Sequence, residues 1–329
     1  QVQGGGMLTC TVVGSHAFAH SVKPPGPLYA VFTVTPDEVV IKHFKGRLGN
    51  NLLMVTLAIM LAEEAGYATV RLPHAPQAPV AVILNLPELL HVERRNSSTS
   101  LACTGDTKSW FVFECRGADK GEFRRVMTRY LVPLMTNETK TACAKERSSF
   151  NGLTVHLRSG DVMWSHDASA RFAPCAFFSK VIHRFGYQAV RIITERRQDH
   201  PCIAELPRRH PEVNFSLQSK SVVEDFCALM SARDLVVGNP STFSLTAEFL
   251  SDQLTNLFLP ALCTCGSVSQ DVAEPPFAVN TWCYNVDDFY TIRNRKDKLH
   301  YLLDTPAASV KEAGVCDETQ ETGFDWSSL

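Results

Sequence analysis

The chain has 329 residues, enough for two domains of ordinary size. Its 32 Lys and Arg nearly balance its 34 Asp and Glu, which excludes a protein that wraps nucleic acid through strong positive charge. Hydrophobic residues make up 45% of the chain and charged residues 20%, which excludes disorder along its whole length. We find no apolar run of the roughly 18 residues that span a bilayer.

The N-terminal region, residues 1–36, is rich in Gly, Pro and small residues. This composition predicts a flexible tail or stem instead of a packed domain. The sequence begins with Gln and not with Met, so a signal or a membrane anchor upstream stays possible.

A first α/β pattern follows and defines an N-terminal α/β domain over residues 37–150. Residues 39–41 are β-branched, residues 52–65 carry apolar side chains at helical spacing, and residues 67–72 are typical of a strand. Gly66 stands where the helix needs a C-terminal cap. Strand, helix and strand in this order indicate the start of an α/β fold.

A second α/β pattern begins near residue 151 and defines a C-terminal, Rossmann-like domain over residues 151–305. Its alternating strands and helices predict a mostly parallel sheet. The predicted strands are 153–157, 189–194, 213–215 and 234–237, and the predicted helices are 175–185, 201–209, 222–232 and 244–252. Residues 306–329 are polar, and we expect a peripheral tail.

Eleven cysteines are scattered along the chain without a C-x-x-C pair, so a structural zinc site is not expected. Disulfides and free buried thiols are both compatible with this distribution. The sequons at Asn96, Asn137 and Asn214 favour the Golgi or another secretory lumen. The cytoplasm of a microbe or virus is the alternative location.

The first motif with chemical potential is Gly46-Arg47-Leu48-Gly49-Asn50-Asn51, between a predicted strand and a predicted helix. Glycines at such a junction permit a tight turn and expose amides that bind anions. The motif is neither the G-x-G-x-x-G fingerprint nor a Walker loop. An ordinary βα turn is the alternative interpretation.

The second motif is His156-Leu157-Arg158-Ser159-Gly160-Asp161. His156 and Arg158 project from the same face of a strand because side chains alternate. The strand ends at this point, and α/β sheets bind ligands at the carboxyl ends of their strands. An Arg there suits a diphosphate, because its planar fork binds two oxygens. A structural pair between Arg158 and Asp161 is the alternative.

The third motif is Gly238-Asn239-Pro240-Ser241-Thr242-Phe243-Ser244, between a predicted strand and a predicted helix. Hydroxyl groups and free amides in the first turn of a helix can hold a phosphate. Plain N-capping of the helix is the alternative. Taken together, the three motifs offer amides, a guanidinium and hydroxyls, which suit a nucleotide diphosphate.

The ordered set of motifs resembles the GDP-fucose-dependent fucosyltransferases of the α-1,2, α-1,6 and protein O- superfamily. Residues 46–51 are similar to a G-x-x-G-N-Q motif, His156, Arg158 and Asp161 match H-x-R-x-x-D, and residues 241–244 match S-T-F-S. Residues 224–230 are similar to the family's Asp-plus-helix segment. The chain departs from the α-1,2 pattern at Asn51, at Ser159 and at residues 245–246.

The resemblance implies a GT-B architecture, with two Rossmann-like domains facing each other across a cleft. It implies inverting transfer from a GDP-sugar co-substrate to a glycan or glycoprotein acceptor on the N-terminal side, with no metal or other cofactor and no nucleic-acid partner. The residues that it and the motifs assign to nucleotide-sugar binding are Gly46, Arg47, Asn50, His156, Arg158, Glu195, Asp225, Ser241, Thr242, Phe243 and Ser244.

Arg158 and Asp161 are the predicted catalytic residues, with Arg158 neutralising the leaving diphosphate. The general base stays open among Asp161, His166 and Asp167. A different GDP- or UDP-sugar donor is one alternative to GDP-fucose. A nucleotide- or glycan-binding protein without catalysis is the alternative from another class, and a sulfotransferase fits poorly because residues 46–51 are unlike its phosphate loop.

Overall fold

A computed structural model describes residues 8–10, 32–35, 37–93, 102–105, 114–116, 120–160, 172–196, 198–239, 241–260, 279–287 and 295–317. The chain divides into two compact units, Gln1–Thr136 (unit 1) and Asn137–Leu329 (unit 2). The fold is mixed α/β.

Unit 1 combines two small sheets with a long apolar helix. One sheet has the order β2-β3-β4-β5 and the other has the order β1-β6-β7. The described elements of unit 1 are β1 (Leu8–Cys10), β2 (Phe32–Val34), β3 (Glu38–Ile41), α1 (Leu48–Ala65), β4 (Thr69–Arg71), β5 (Leu89–His91), β6 (Ala102–Gly105), β7 (Glu114–Arg116) and α2 (Lys120–Val126). β1 therefore lies within the region expected to be a tail, and pairs with β6.

Helix α1 is the core helix of unit 1. It packs on β3 and β4, and it ends at Gly66, whose left-handed conformation (φ 77°) lets its amide bond to the Ala62 carbonyl. By length and composition alone α1 could cross a membrane, and among the described helices it is the one that meets this test. However, 83% of its 18 residues are buried inside the protein. Such burial is typical of a core helix.

Unit 2 contains most of the described secondary structure. Its elements are α3 (Asn137–Arg147), β8 (Leu153–Leu157), α4 (Cys175–Phe185), β9 (Ala189–Thr194), α5 (Cys202–Arg209), β10 (Asn214–Gln218), α6 (Val222–Met230), β11 (Asp234–Val237), α7 (Thr242–Leu250), β12 (Asn256–Leu259), β13 (Asn280–Val286), α8 (Arg295–Asp304) and β14 (Val310–Asp317). Four of these elements, β8, α4, β9 and β11, have the bounds that the sequence predicts.

The seven-stranded sheet of unit 2 has the order β10-β9-β8-β11-β12-β13-β14. All neighbours pair in parallel except β13 and β14, which are antiparallel. Counted from β8, the first six strands follow the order 3-2-1-4-5-6 of a Rossmann-like sheet. The strand order therefore reverses between β8 and β11, and this switch point is where such sheets bind ligands.

Among the bonds between described residues, two disulfides join helices around this sheet. Cys143 and Cys227 join α3 to α6 with a Cα–Cα distance of 4.6 Å, and Cys175 and Cys202 join α4 to α5 at 5.2 Å. Both distances are ordinary for a disulfide. The link from α3 to α6 places α3 in unit 2, so the units divide before residue 137 and not near residue 151.

The C-terminal region differs from the expected peripheral tail. Residues 310–317 form β14, which pairs with β13 along its whole length and closes one edge of the sheet. Val310 is fully buried in the main core of unit 2. Residues 310–317 are polar because β14 is an edge strand with many exposed side chains.

Candidate functional site

The candidate site lies at the carboxyl ends of β8 and β11. His156 and Val237 are register partners in these two parallel strands, and the Gly238 amide donates to the His156 carbonyl at 3.4 Å. The second motif and the third motif therefore leave the sheet side by side, at the switch point. The sequence predicts that each motif follows a strand, and the structure adds that these two strands are neighbours.

Arg158 is the cation at the end of β8. Its side chain is 17% exposed, and its Nε lies 3.8 Å from Oε1 of Glu195, which follows the neighbouring strand β9. The Glu195 side chain is 33% exposed. The structure thus brings together two of the predicted residues, a guanidinium and a carboxylate that can orient it.

Sequence reasoning missed the contacts that fix the turn after Arg158. The Ser159 and Thr194 hydroxyls are 2.7 Å apart and buried, and the Gly160 amide donates to Oδ1 of Asp199 at 2.9 Å. Gly160 has a φ of 75°, in the left-handed region that favours glycine. The turn that follows β8 is therefore fastened to the segment that follows β9. In the sequence, the one feature that could have indicated Asp199 is its position, five residues after the end of a predicted strand.

Two buried imidazoles, those of His156 and His200, interact electrostatically with each other, and His156 also interacts with Arg158. Burial, and then the charge of Arg158, lower the pKa of His156 to about 3. Burial lowers the pKa of His200 to about 3, and its Nδ1 accepts a bond from the Cys202 amide at 3.2 Å. The buried Nδ1 of His156 has no hydrogen-bond partner within the part of the chain that the structure describes. Both side chains are neutral at pH 7.

Ser241 is the N-cap residue of α7, but its hydroxyl does not cap the helix. Ser241 is 4% exposed, and among the described residues its Oγ has no hydrogen-bond partner. The Ser244 hydroxyl donates instead to the Ser241 carbonyl at 3.1 Å. A buried hydroxyl beside a helix N-terminus can donate to an anionic ligand, in line with the exposed amides of the first turn.

Tight packing fixes the third motif in place. A Cβ added to Gly238 would meet Cζ of Phe178 at 2.3 Å, so a side chain at this position requires a shift of the core. The Phe243 ring centroid lies 6.0 Å from that of His156 and 5.4 Å from that of Phe226. Phe243 therefore joins the third motif to the second.

Asp225 lies beyond the end of β10, the strand next but one to β8. Its Oδ1 accepts from Gln218 Nε2 and from the Lys220 amide, each at 3.1 Å, and its Oδ2 accepts from the same amide. Burial raises the pKa of Asp225. These contacts stabilise the turn before α6, and the assignment of Asp225 to nucleotide-sugar binding stays a prediction.

The first motif lies in unit 1, at the start of α1. Gly46 has a φ of 73°, and Nδ2 of the fully buried Asn51 donates to the Lys45 carbonyl at 2.7 Å. Arg47 is the exposed N-cap residue of α1, and Asn50 is half-buried. Locally this is a well-formed βα turn, and its part in donor binding stays a prediction.

The three candidate bases, Asp161, His166 and Asp167, lie outside the described residues. Within the described ranges, no group of three or more His, Cys, Asp or Glu is arranged to hold a metal ion. The expectation of metal-independent chemistry stays a prediction.

Comparison with known proteins gives a partial structural likeness. No family model and no curated protein matches the chain. POFUT1 in complex with GDP is similar over 40% of this chain and 48% of its own, with 14% identity and a TM-score of 0.30. For POFUT1 in complex with GDP-fucose the coverage is 40% and 47%, with 15% identity and a TM-score of 0.31. The match thus spans under half of each POFUT1 chain, and the functional assignment depends on the site's own residues.

Proposed function

We propose that the protein is a glycosyltransferase that moves fucose from GDP-fucose to a hydroxyl of a glycan or glycoprotein. The observation that carries the proposal is that Arg158 follows β8 and Ser241 follows the neighbouring strand β11, at a Rossmann switch point, and that the buried Ser241 hydroxyl has no hydrogen-bond partner among the described residues. A cation, a hydroxyl and a helix N-terminus at that position suit a nucleotide diphosphate. The ordered motifs and their resemblance to GDP-fucose-dependent enzymes select the donor.

The chemistry requires stabilisation of a leaving group. When the bond between the sugar C1 and the diphosphate oxygen breaks, negative charge builds up on the nucleoside diphosphate. Arg158 neutralises that charge, and the Ser241 hydroxyl donates to a phosphate oxygen near the N-terminus of α7. The acceptor hydroxyl attacks C1 from the opposite face, which inverts the anomeric configuration and releases a proton.

Neighbouring side chains hold the donor and the guanidinium. Glu195 orients Arg158 through the 3.8 Å contact, and we propose that it binds the ribose or the base of the donor. The neutral His156 presents an imidazole nitrogen to the donor, and Phe243 holds that ring in position. In the GT-B arrangement that we propose, unit 1 supplies Gly46, Arg47 and Asn50 and binds the acceptor. Asp161 is the first candidate for the general base, ahead of His166 and Asp167.

We propose a secretory lumen, the Golgi above all, as the location. Cys175 and Cys202 are both fully buried and bonded to each other, and Cys143 is 3% exposed and bonded to Cys227. Disulfides of this structural kind persist in oxidising compartments.

A thermal-shift panel of GDP, UDP, ADP and CMP, with and without EDTA, tests the donor class. A ligand at 100 times its Kd stabilises the native state by about 2.7 kcal/mol. We expect GDP to raise the melting temperature more than the other nucleotides, with no effect of EDTA. Stabilisation by UDP alone, or only in the presence of a divalent ion, would rule out GDP-fucose as the donor and favour a different nucleotide sugar. No response to any nucleotide would overturn the proposal.

A transfer assay then separates catalysis from binding. Incubation with GDP-fucose and a glycan library, followed by NMR of the product, identifies the acceptor, the linkage and the anomeric configuration. We expect a product of inverted configuration. Binding of GDP without turnover on any acceptor would favour the nucleotide- or glycan-binding alternative.

A further inference from the structure

Within the described part of unit 2, one edge of the large sheet carries none of the usual features that prevent strand pairing. Among the described strands β10 is the end strand, and its sequence, NFSLQ, has no charged residue and no proline. Leu217 is 45% exposed on it. An exposed, uncharged edge strand is a template for pairing with another chain.

The opposite edge is protected in the ways that natural sheets use. β14 carries the exposed Lys311 and Glu312, and its pairing with β13 is interrupted by a register shift between Cys283 and Tyr284. Charges and bulges both discourage a further strand from adding to a sheet. Among the described residues, the β10 edge therefore has neither the charges nor the bulge that protect the β14 edge.

β10 contains an N-x-S sequon whose asparagine faces solvent. Asn214 and Ser216 project from one face of the strand and are exposed, whereas Phe215 projects from the other face and packs against the core. The Asn214 amide group of the backbone bonds to the Gln188 carbonyl at 2.9 Å, so the strand is held while the side chain stays outside. A bulky substituent on this side chain requires no change in packing.

We propose that Asn214 is N-glycosylated and that its glycan shields the β10 edge from association with other chains. The Nδ2 of Asn214 forms a bond to the anomeric carbon of a lipid-diphosphate-linked oligosaccharide. The bond from that carbon to the phosphate breaks, the lipid diphosphate leaves, and Nδ2 loses one proton. Asn214 stands at the amino end of β10, a strand length of roughly 13 Å from the carboxyl edge of the sheet, so the glycan leaves the candidate site open.

Site occupancy tests the modification. The full chain, secreted from cultured animal cells behind an added signal, is deglycosylated enzymatically in heavy-oxygen water, which marks each released site with a labelled aspartate. We expect the label at residue 214, lost in Asn214→Gln and in Ser216→Ala but kept in Ser216→Thr and in Asn137→Gln. Secreted protein without label at residue 214 overturns the proposal.

Self-association tests the role of the glycan. Enzymatic removal from the folded protein, and separately Asn214→Gln, should lower the concentration at which light scattering detects oligomers by several-fold. Asn214→Asp, which carries no glycan but adds a charge to the edge, should restore much of the resistance. If the deglycosylated protein and Asn214→Gln associate no more than the glycosylated protein, the shielding role is wrong.

Discussion

The Gly160 amide donates a hydrogen bond to Oδ1 of Asp199 at 2.9 Å, which joins the segments that follow two neighbouring strands, β8 and β9. Arg158 lies two residues before Gly160, on the same turn. The direction of the Arg158 side chain therefore depends on a carboxylate that does not itself belong to the motif. Asp199 is a positioning residue in this arrangement.

The first prediction concerns Asp199. Replacement by Ala removes the acceptor of the Gly160 amide, so we expect about a tenfold loss of kcat/KM, equivalent to about 1.4 kcal/mol. Asp199→Asn keeps an Oδ1 acceptor and should retain most of the activity. Steady-state kinetics with GDP-fucose measure both variants, with thermal unfolding as the control for folding. Equal losses in the two variants would show that the carboxylate charge, and not the bond to Gly160, is what matters.

Arg158 carries the second prediction. Arg158→Ala removes a preorganised cation from the leaving diphosphate, so kcat should fall on the order of 10²-fold or more. Arg158→Lys keeps the charge but loses the planar fork, so its kcat should lie between that of the unmodified enzyme and that of Arg158→Ala. Rapid-quench or steady-state assays measure kcat. A folded Arg158→Ala protein with near-normal turnover would remove this role from Arg158.

The third prediction concerns acid stability. His156 and His200 have pKa values lowered to about 3, against an ordinary value of 6.5, so the unfolded state binds more protons than the native state between these values. The stability of the fold is therefore full above about pH 6.5 and falls as the pH decreases, by about 1.4 kcal/mol per pH unit for each histidine.

Urea unfolding at several pH values between 7.5 and roughly 5 measures this slope, in a range where carboxylates with ordinary unfolded-state pKa values contribute little. His200→Asn keeps an acceptor for the Cys202 amide and should reduce the slope by about one proton. An unchanged slope in this variant would mean that His200 is protonated in the native state.

The fourth prediction concerns Gly238. A Cβ there meets Cζ of Phe178 at 2.3 Å and Cε1 at 2.9 Å, so Gly238→Ala should lower the free energy of unfolding by about 1–3 kcal/mol. Gly186→Ala is the matched control, because a Cβ at Gly186 meets nothing within 4 Å and only its φ of 66° opposes the change. Denaturant unfolding compares the two. A smaller loss at Gly238 than at Gly186 contradicts the packing argument.

Local sequence patterns predicted the central part of unit 2 well. The bounds of β8, α4, β9 and β11 follow from β-branched runs and helical spacing, and Gly186 and Gly238 mark the turns after α4 and β11; all of these are local signals. The placement of Arg158 and Ser241 at strand ends is local for the same reason. The order of the strands in the sheet makes these two strand ends neighbours, and local sequence patterns do not reveal that order.

The missed features depend on contacts between distant parts of the chain. Helix α3 has a polar sequence, NETKTACAKER, and is fixed by the disulfide from Cys143 to Cys227, 84 residues away. Strand β14 is specified by its pairing with β13 and not by its own composition. Asp199 has no pattern around it, and only the parallel pairing of β8 with β9 brings it to Gly160.

The fifth prediction compares two serines at helix N-termini. The Ser221 hydroxyl accepts from the Glu224 amide at 3.2 Å in a capping box on α6, whereas the Ser241 hydroxyl makes no capping bond on α7. Ser221→Ala should therefore lower the free energy of unfolding by about 1 kcal/mol and leave GDP affinity unchanged.

Ser241→Ala should do the reverse. It removes a buried hydroxyl that has no partner among the described residues, so the stability of the free protein should hold or rise, while GDP affinity falls about tenfold, or about 1.4 kcal/mol. Calorimetric titration with GDP and unfolding without it measure the two quantities separately. Because the two serines occupy the same helix position, a loss of stability in both variants without a loss of affinity in either would identify Ser241 as a structural residue and leave the phosphate to the amides of α7.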